Sequence, residues 1–392
     1  MANGRQMRVV VALLLCAGGA TAQYLPAVAR IPATARMPVG PPVAPTFLHY
    51  RTLTINHTLV GANDSSNFIA AVVSGCDTTM KDLGHGGHVQ SSSGNDIQFY
   101  ADSGAVTQYA STIKYYDNVN GCVTAYVRVP TVSHTSDTVF YVQYDSASPP
   151  SRLTTLCSGN SLVSFWPLGN GTSLSGTDLC GTQNGTVHNA TATTGIIDGG
   201  GSFDGSTTWI DMGQSVSALH PSSVTVEAWV EPTNSTQVYY AGIVSQDFSE
   251  PRTAPYTSYK LGVNTPPWIN TFEFEVGRTD GATQLNAGSA WSSGTWYHVA
   301  GTFDGGGYGL ILYVNGANVA SGTTSGVPIA YSNGNFRIGA NSDGGEIPAA
   351  AISDVRVSSV VRSADWILAE YNNGNAPGSI ATPGFLSWGT EH

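Results

Sequence analysis

The chain has 392 residues, only 10% of them charged, with 46 Gly, 20 Pro and a formal net charge of −11. Hydrophobic residues at 41% are enough for packed cores, which argues against a disordered chain, and so few charges argue against a coiled coil. Fifteen basic residues against 26 acidic ones argue against nonspecific phosphate binding, so no nucleic-acid partner is expected.

At about 150 residues per domain, the length suggests two domains or three. The chain opens with Arg5 and Arg8, an apolar run over 9–17, and the small-x-small string Ala20-Thr21-Ala22. That is the form of an export signal, residues 1–22, cleaved after Ala22. As a helix the nine apolar residues rise only about 14 Å, too little for a bilayer core of roughly 30 Å. No other apolar stretch has spanning length, so the mature chain is expected to have no transmembrane segment. The expected location is outside the cytoplasm: secreted, periplasmic or at the cell surface.

Removing the leader takes away Cys16 and leaves Cys76, Cys122, Cys157 and Cys180. An even number in an exported chain reads as two disulfides, and four cysteines allow three pairings. Keeping each pair within one proposed domain selects Cys76–Cys122 and Cys157–Cys180. The spacings contain no CxxC, which argues against zinc at these cysteines.

Six prolines between 26 and 45 mark residues 23–46 as an extended linker. Short β-rich runs follow at 50–55, 68–73, 97–100, 124–129 and 138–144. In the fourth, Tyr126 and Arg128 alternate with Val127 and Val129, the period of a half-buried strand. Residues 47–148 therefore read as a small antiparallel β-sandwich. The strings GHVQSSSGNDIQFY (87–100), AYVRVP (125–130) and DTVFYVQY (137–144) make this region similar to a family catalogued only as a domain of unknown function, number 2341. That resemblance implies no catalytic residues. The pair His85 and His88 brackets two glycines but has no third ligand at a known spacing, so it reads as a polar glycine loop.

Pro149 and Pro150 open a second linker, 149–161, and residues 162–388 read as a further domain. Strands are expected at 162–168, 208–212, 225–230, 241–245, 259–263, 271–276, 296–303, 310–314, 335–339 and 352–357, separated by Gly-, Asn- and Asp-rich turns. Asn315-Gly316 is a hairpin turn, since both residues tolerate positive φ. One helix is expected, capped by Ser363, favoured by Asp365 in its first turn and stopped at Asn373-Gly374.

The strings VSFWPL (163–168), GGSFDG (200–205), VTVEAWV (224–230), GTWYHVA (294–300), LYVNG (312–316), SDVRV (353–357) and VRSADWILAEYNN (361–373) occur in one order. In that order they resemble the concanavalin A-like jelly roll in its laminin-G-like (LamG) form. The expected fold class is thus all-β: a small sandwich, then a jelly roll. The resemblance implies a carbohydrate- or protein-binding module, in many members with a structural calcium. It places that ion near Asp204, Gly205 and the position of Ser353. Here Ser353 stands where the family often has an Asp, and Asp354 falls on the opposite face of the strand.

Trp166, Trp229 and Trp296 fall in strand motifs and are expected in the core. Trp209, Tyr239, Tyr240, Trp268, Trp291 and Tyr308 sit in or beside turn-rich segments and are the candidate ligand contacts. Glu273 and Glu275 alternate with Phe272 and Phe274 and stand about 6.5–7 Å apart along one strand face, within reach of paired-acid glycoside hydrolysis. The sequence has no GxSxG, HExxH, P-loop or EF-hand string. The reading is an exported recognition protein for a glycan or cell-envelope ligand. The alternatives are an adhesive protein with a protein partner, and a glycosidase or lyase using Glu273 and Glu275.

Overall fold

The computed structural model describes residues 46–169, 172–214, 216–234, 237–263, 270–341 and 345–392. The expected export signal, nearly all of the first linker, and Trp268 lie outside the described residues. The described residues form one compact unit.

Six strands build the first part of the chain: β1 (His49–Ile55), β2 (Ser65–Cys76), β3 (Gln98–Tyr100), β4 (Ser111–Asp117), β5 (Cys122–Val132) and β6 (Thr138–Tyr144). They alternate as the sequence does. Leu53 and Ile55 of β1 and Phe140 and Val142 of β6 turn inward, against Phe68, Val127 and Val129 of the facing sheet. The pairing is antiparallel throughout, and Cys76 and Cys122 are cross-strand neighbours joined by a disulfide. A second disulfide joins Cys157 and Cys180.

The second sandwich begins with β7 (Leu162–Trp166), β8 (Thr186–His188), β9 (Thr191–Thr194), β10 (Gly199–Asp204) and β11 (Trp209–Gln214). It continues through β12 (Val224–Pro232), β13 (Ala241–Asp247), β14 (Thr257–Val263), β15 (Phe272–Arg278), β16 (Gly281–Asn286) and β17 (Tyr297–Phe303). It ends with β18 (Gly309–Val314), β19 (Ala317–Thr323), β20 (Asn335–Ile338) and β21 (Ala349–Ser358). One sheet runs β19-β18-β17-β12-β21-β10-β9, with β7 also on β21, and the other runs β16-β15-β14-β13-β20-β11-β8. Their inner faces share one apolar core, with Ile210, Leu261, Phe274, Phe336 and Ile338 of the second sheet meeting Val226, Phe303, Leu312 and Ile352 of the first. The β18–β19 hairpin turns at Asn315-Gly316 with φ of 51° and 76°, as its sequence requires. The chain is all-β apart from one described α-helix.

That helix, α1 (Ala364–Asn375), starts where Ser363 accepts a hydrogen bond from the backbone N–H of Trp366. A last strand, β22 (Leu386–Glu391), follows it. Here the structure departs from the expected boundary at 388. Strand β22 pairs antiparallel with β1, so the first sheet reads β22-β1-β6-β3 and faces the sheet β2-β5-β4. Trp366, Ala369, Phe385 and Leu386 complete the core of the first sandwich. These residues carry no alternation that would assign them there; only the pairing does.

Candidate functional site

The seven-stranded sheet turns its apolar side chains inward, so by strand alternation its polar ones share the outer face. The register lines them up. Thr186 pairs with Asp211, Asp211 with Arg337, Arg337 with Ser245, Ser245 with Lys260, Lys260 with Glu275 and Glu275 with Gln284. One polar row therefore crosses every strand of the sheet, roughly 29 Å at about 4.8 Å per strand.

Hydrogen bonds tie the row together. Arg337 donates to Asp247 (2.6 Å), to Glu250 (3.2 Å) and, through Nε, to Asp211 (3.3 Å). Asn335 donates to Asp211 at 2.9 Å. The Lys260 ammonium lies 2.7 Å from Glu273 and 3.2 Å from Glu275, and these two carboxylates hold it charged, well above the usual lysine range, against the opposing effect of burial. Asn341 bridges Ser245 and Glu346, and Glu346 pairs with Arg252 at 3.2 Å. Five carboxylates along the row (Asp211, Asp247, Glu250, Glu273 and Glu275) thus face two cations, Lys260 and Arg337.

The middle of the row is sealed and its ends are open. Ser245, Lys260 and Arg337 are buried, whereas Thr186 is exposed and Asp211, Glu275 and Gln284 are half-buried. At one end an open cleft of about 420 Å³ is lined by Asn184, Thr186, His188, Asp211, Gln214 and Asn335. Trp209, half-buried, stacks on His188 beside it, with ring centroids 4.7 Å apart. Just before β13, Tyr239 and Tyr240 stand 52% and 42% exposed, and the Tyr240 ring lies 5.8 Å from the Lys260 ammonium. Tyr256, exposed, lies against the Arg252 guanidinium at 5.5 Å.

The expected contact residues separate accordingly. Trp209 is accessible at the β8–β11 end of the row, and Tyr239 and Tyr240 are accessible just before β13. Trp291 is a correction: it is 6% exposed and packs in the core against Phe272, at 5.5 Å. Tyr308 is half-buried on Phe303 in the turn before β18, away from the row. Trp166 is core as expected. Trp229 is buried on the helix side of its sheet, stacked on Tyr371, and Trp296 is only half-buried. Sequence reasoning missed Asp211, Arg337, Ser245 and Lys260. A charge alternating with core residues, as in Phe336-Arg337-Ile338, marks an outer face, but only the register shows that these residues align.

Glu273 and Glu275 share one strand face, as expected. Glu273 is fully buried and accepts from Gln284, and both acids are paired to Lys260. Paired-acid hydrolysis needs one carboxyl protonated and both open to substrate. A sealed acid neutralised by an ammonium ion serves neither need.

The residues expected around calcium do not fit that ion. The Asp204 carboxylate accepts from the backbone N–H groups of Ser206 (2.8 Å) and Thr207 (2.7 Å) and from the hydroxyls of Thr207 (2.6 Å) and Thr208 (2.9 Å). These bonds, the Thr207 hydroxyl first, hold Asp204 far below the usual carboxylate range. Asp204 pairs with Ala349, whereas Ser353 lies buried beside Gly200, four residues along the strand and so about 13 Å away. Gly205, at φ 81°, turns the chain next to Ala349. The three do not converge.

Residues 204–368 match the family described as the concanavalin A-like lectin/glucanases superfamily, which supports a concanavalin A-like jelly roll for the second sandwich. The match leaves residues 47–148 outside it. Among solved structures, domain 4 of AbnA, a GH43 extracellular arabinanase from Geobacillus stearothermophilus in complex with arabinotriose, is similar at 17% identity and a TM-score of 0.43, over 53% of this chain and 98% of that one. The binding domain of Paraclostridial Mosquitocidal Protein 1 is similar at 13% identity and a TM-score of 0.43, over 54% of this chain and 52% of that one. The binding domain of Botulinum Neurotoxin DC in complex with SialylT is similar at 13% identity and a TM-score of 0.41, over 55% of this chain and 52% of that one. No curated protein matches the chain.

Proposed function

We propose that the chain is exported and that its second sandwich binds a neutral glycan at the open parts of the outer face of the seven-stranded sheet. The open cleft with Trp209 at one end of the polar row, and the exposed Tyr240 beside Lys260, carry this reading. Aromatic faces pack on the C–H faces of sugar rings, and Asp211, Asn335 and Gln284 offer partners for hydroxyls. The excess of carboxylates over cations along the row favours ligands that donate hydrogen bonds and disfavours sulfated or uronic sugars. The two disulfides suit an oxidising compartment. No described helix is long and apolar enough to cross a membrane.

A glycan array with the full chain tests this, followed by titration of the best neutral ligand. Trp209→Ala and Tyr240→Ala are each expected to weaken binding about tenfold, the order of a lost stacking partner. Tyr308→Ala is expected to leave binding unchanged. An array silent on every neutral glycan sinks the proposal, and capture of a protein ligand by the same face would replace it. Release of reducing sugar that disappears in Glu273→Gln would turn the reading to an enzyme.

A further inference from the structure

We propose a transition-metal site in the first sandwich, formed by His49, His88 and Glu391. The three come from β1, from the glycine loop after residue 87, and from β22, and one ligand atom of each lies within 4.8 Å of the other two. Two imidazoles and a carboxylate bound at about 2.0–2.2 Å in a tetrahedral shell stand roughly 3.3 Å apart. Binding therefore needs the ligand atoms to close by up to about 1.5 Å and one of the two imidazole rings to turn.

The surroundings are those of a built site. The His49 and His88 rings are stacked, centroids 4.1 Å apart and 14° from parallel, so one of them must turn to bring both in-plane lone pairs onto one ion. His49 Nδ1 lies 2.9 Å from Asp145 Oδ2, which orients the ring and leaves Nε2 as its ligand atom. Glu391 is held by the Tyr144 hydroxyl at 2.6 Å and lies 2.9 Å from His88 Nδ1. Asp145 is itself fixed: its φ is 64°, Gln90 donates to its carboxylate at 2.6 Å, and its backbone N–H donates to the fully buried Asp96. Asp96 also accepts from the backbone N–H groups of Gln90 and Ser91, so one carboxylate fastens the His88 loop to the end of β6. Arg51, the nearest cation in register, is turned to Asp77, Thr79 and the Gly389 carbonyl.

Imidazole with carboxylate suits zinc, and copper or nickel next, and Glu391 with Asp145 supplies charge for a divalent ion. The side chains of His49 and His88 are 28% and 38% exposed, so an ion can enter and keep a position for a fourth ligand. His85 takes no part; it pairs with Asp82 at 2.7 Å. The second His/Glu group, Glu227–His298–Glu370, is buried and already holds the guanidinium of Arg356.

The test is titration of the full chain with Co²⁺, followed by its visible absorption, and with Zn²⁺ by calorimetry. One ion per chain is expected, with a rise in melting temperature. His88→Ala and Glu391→Gln should abolish the cobalt spectrum, and Asp145→Asn should weaken affinity roughly 10–100-fold. His85→Ala should change nothing. Near-UV circular dichroism of each variant without metal checks that it is folded. Absence of uptake by the unmodified chain overturns the site, and so does uptake that His88→Ala leaves intact in a folded protein.

Discussion

Glu227, Asp354 and Glu370 are buried around the Arg356 guanidinium where α1 and the first sandwich cover β12 and β21, with Arg362 and Lys114 also within electrostatic reach. Burial, and then the neighbouring charge of Glu227, push the Glu370 carboxyl up to about 8, so it holds its proton at neutral pH. Burial also pushes His298 down to about 4, so it stays neutral. The signs oppose each other below about 6.5, where unfolding lets His298 take up a proton and Glu370 lose one. Between 6.5 and 8 only Glu370 counts: the folded state holds the extra proton, so stability falls as pH rises. The expected loss is about 2 kcal/mol over that interval. Urea unfolding at both pH values measures it, and the same decline in Glu370→Gln would show that another group is responsible. Lys260 is the other one-sided case. Lys260→Met leaves Glu273 buried without its partner and should cost about 3–5 kcal/mol, read from the same unfolding curves.

At the scale of elements, α1 is the joint. Trp366 packs on Phe68 of the first core at 5.3 Å, while Gly374 lies under the Trp229 indole of the second sandwich. A Cβ at 374 would stand 2.5 Å from that ring. Gly→Ala inside a helix gains about 1 kcal/mol of propensity, and forcing a methyl into a filled contact loses about 1–3, so the clash prevails. Gly374→Ala should lower the melting temperature, and a rise would mean that the indole moves freely. The helix and the 310–323 hairpin were legible because Ser363, Asp365 and Asn315-Gly316 act locally. Strands β4, β8, β9, β10, β16 and β22 were not: Thr186-Val187-His188 and Thr191-Ala192-Thr193-Thr194, for example, carry too few apolar residues to show a period. Glu273 and Glu275 were legible as a face, but their partner Lys260 lies on another strand, and register is a tertiary property.

For the whole molecule, two sandwiches were legible in composition and turn spacing, but not their shared parts. Tyr126 of β5 donates to Asp354 of β21 and packs on Phe165 at 4.7 Å, so the first sandwich is bonded to the second. Residues 47–148 expressed alone lack β22, Trp366 and Phe385, and are expected to stay unfolded by circular dichroism. A folded fragment of that length would show that the C-terminal segment is dispensable. Calorimetry of the full chain should show one transition, because the cores share α1. The pairing of Ile55 with Leu386 closes a span of roughly 330 residues, which by the logarithmic rule costs about 5 kcal/mol of chain entropy. The first sandwich therefore cannot be completed before residues 386–391 have been made, and until then β1 keeps an unpaired edge on that side.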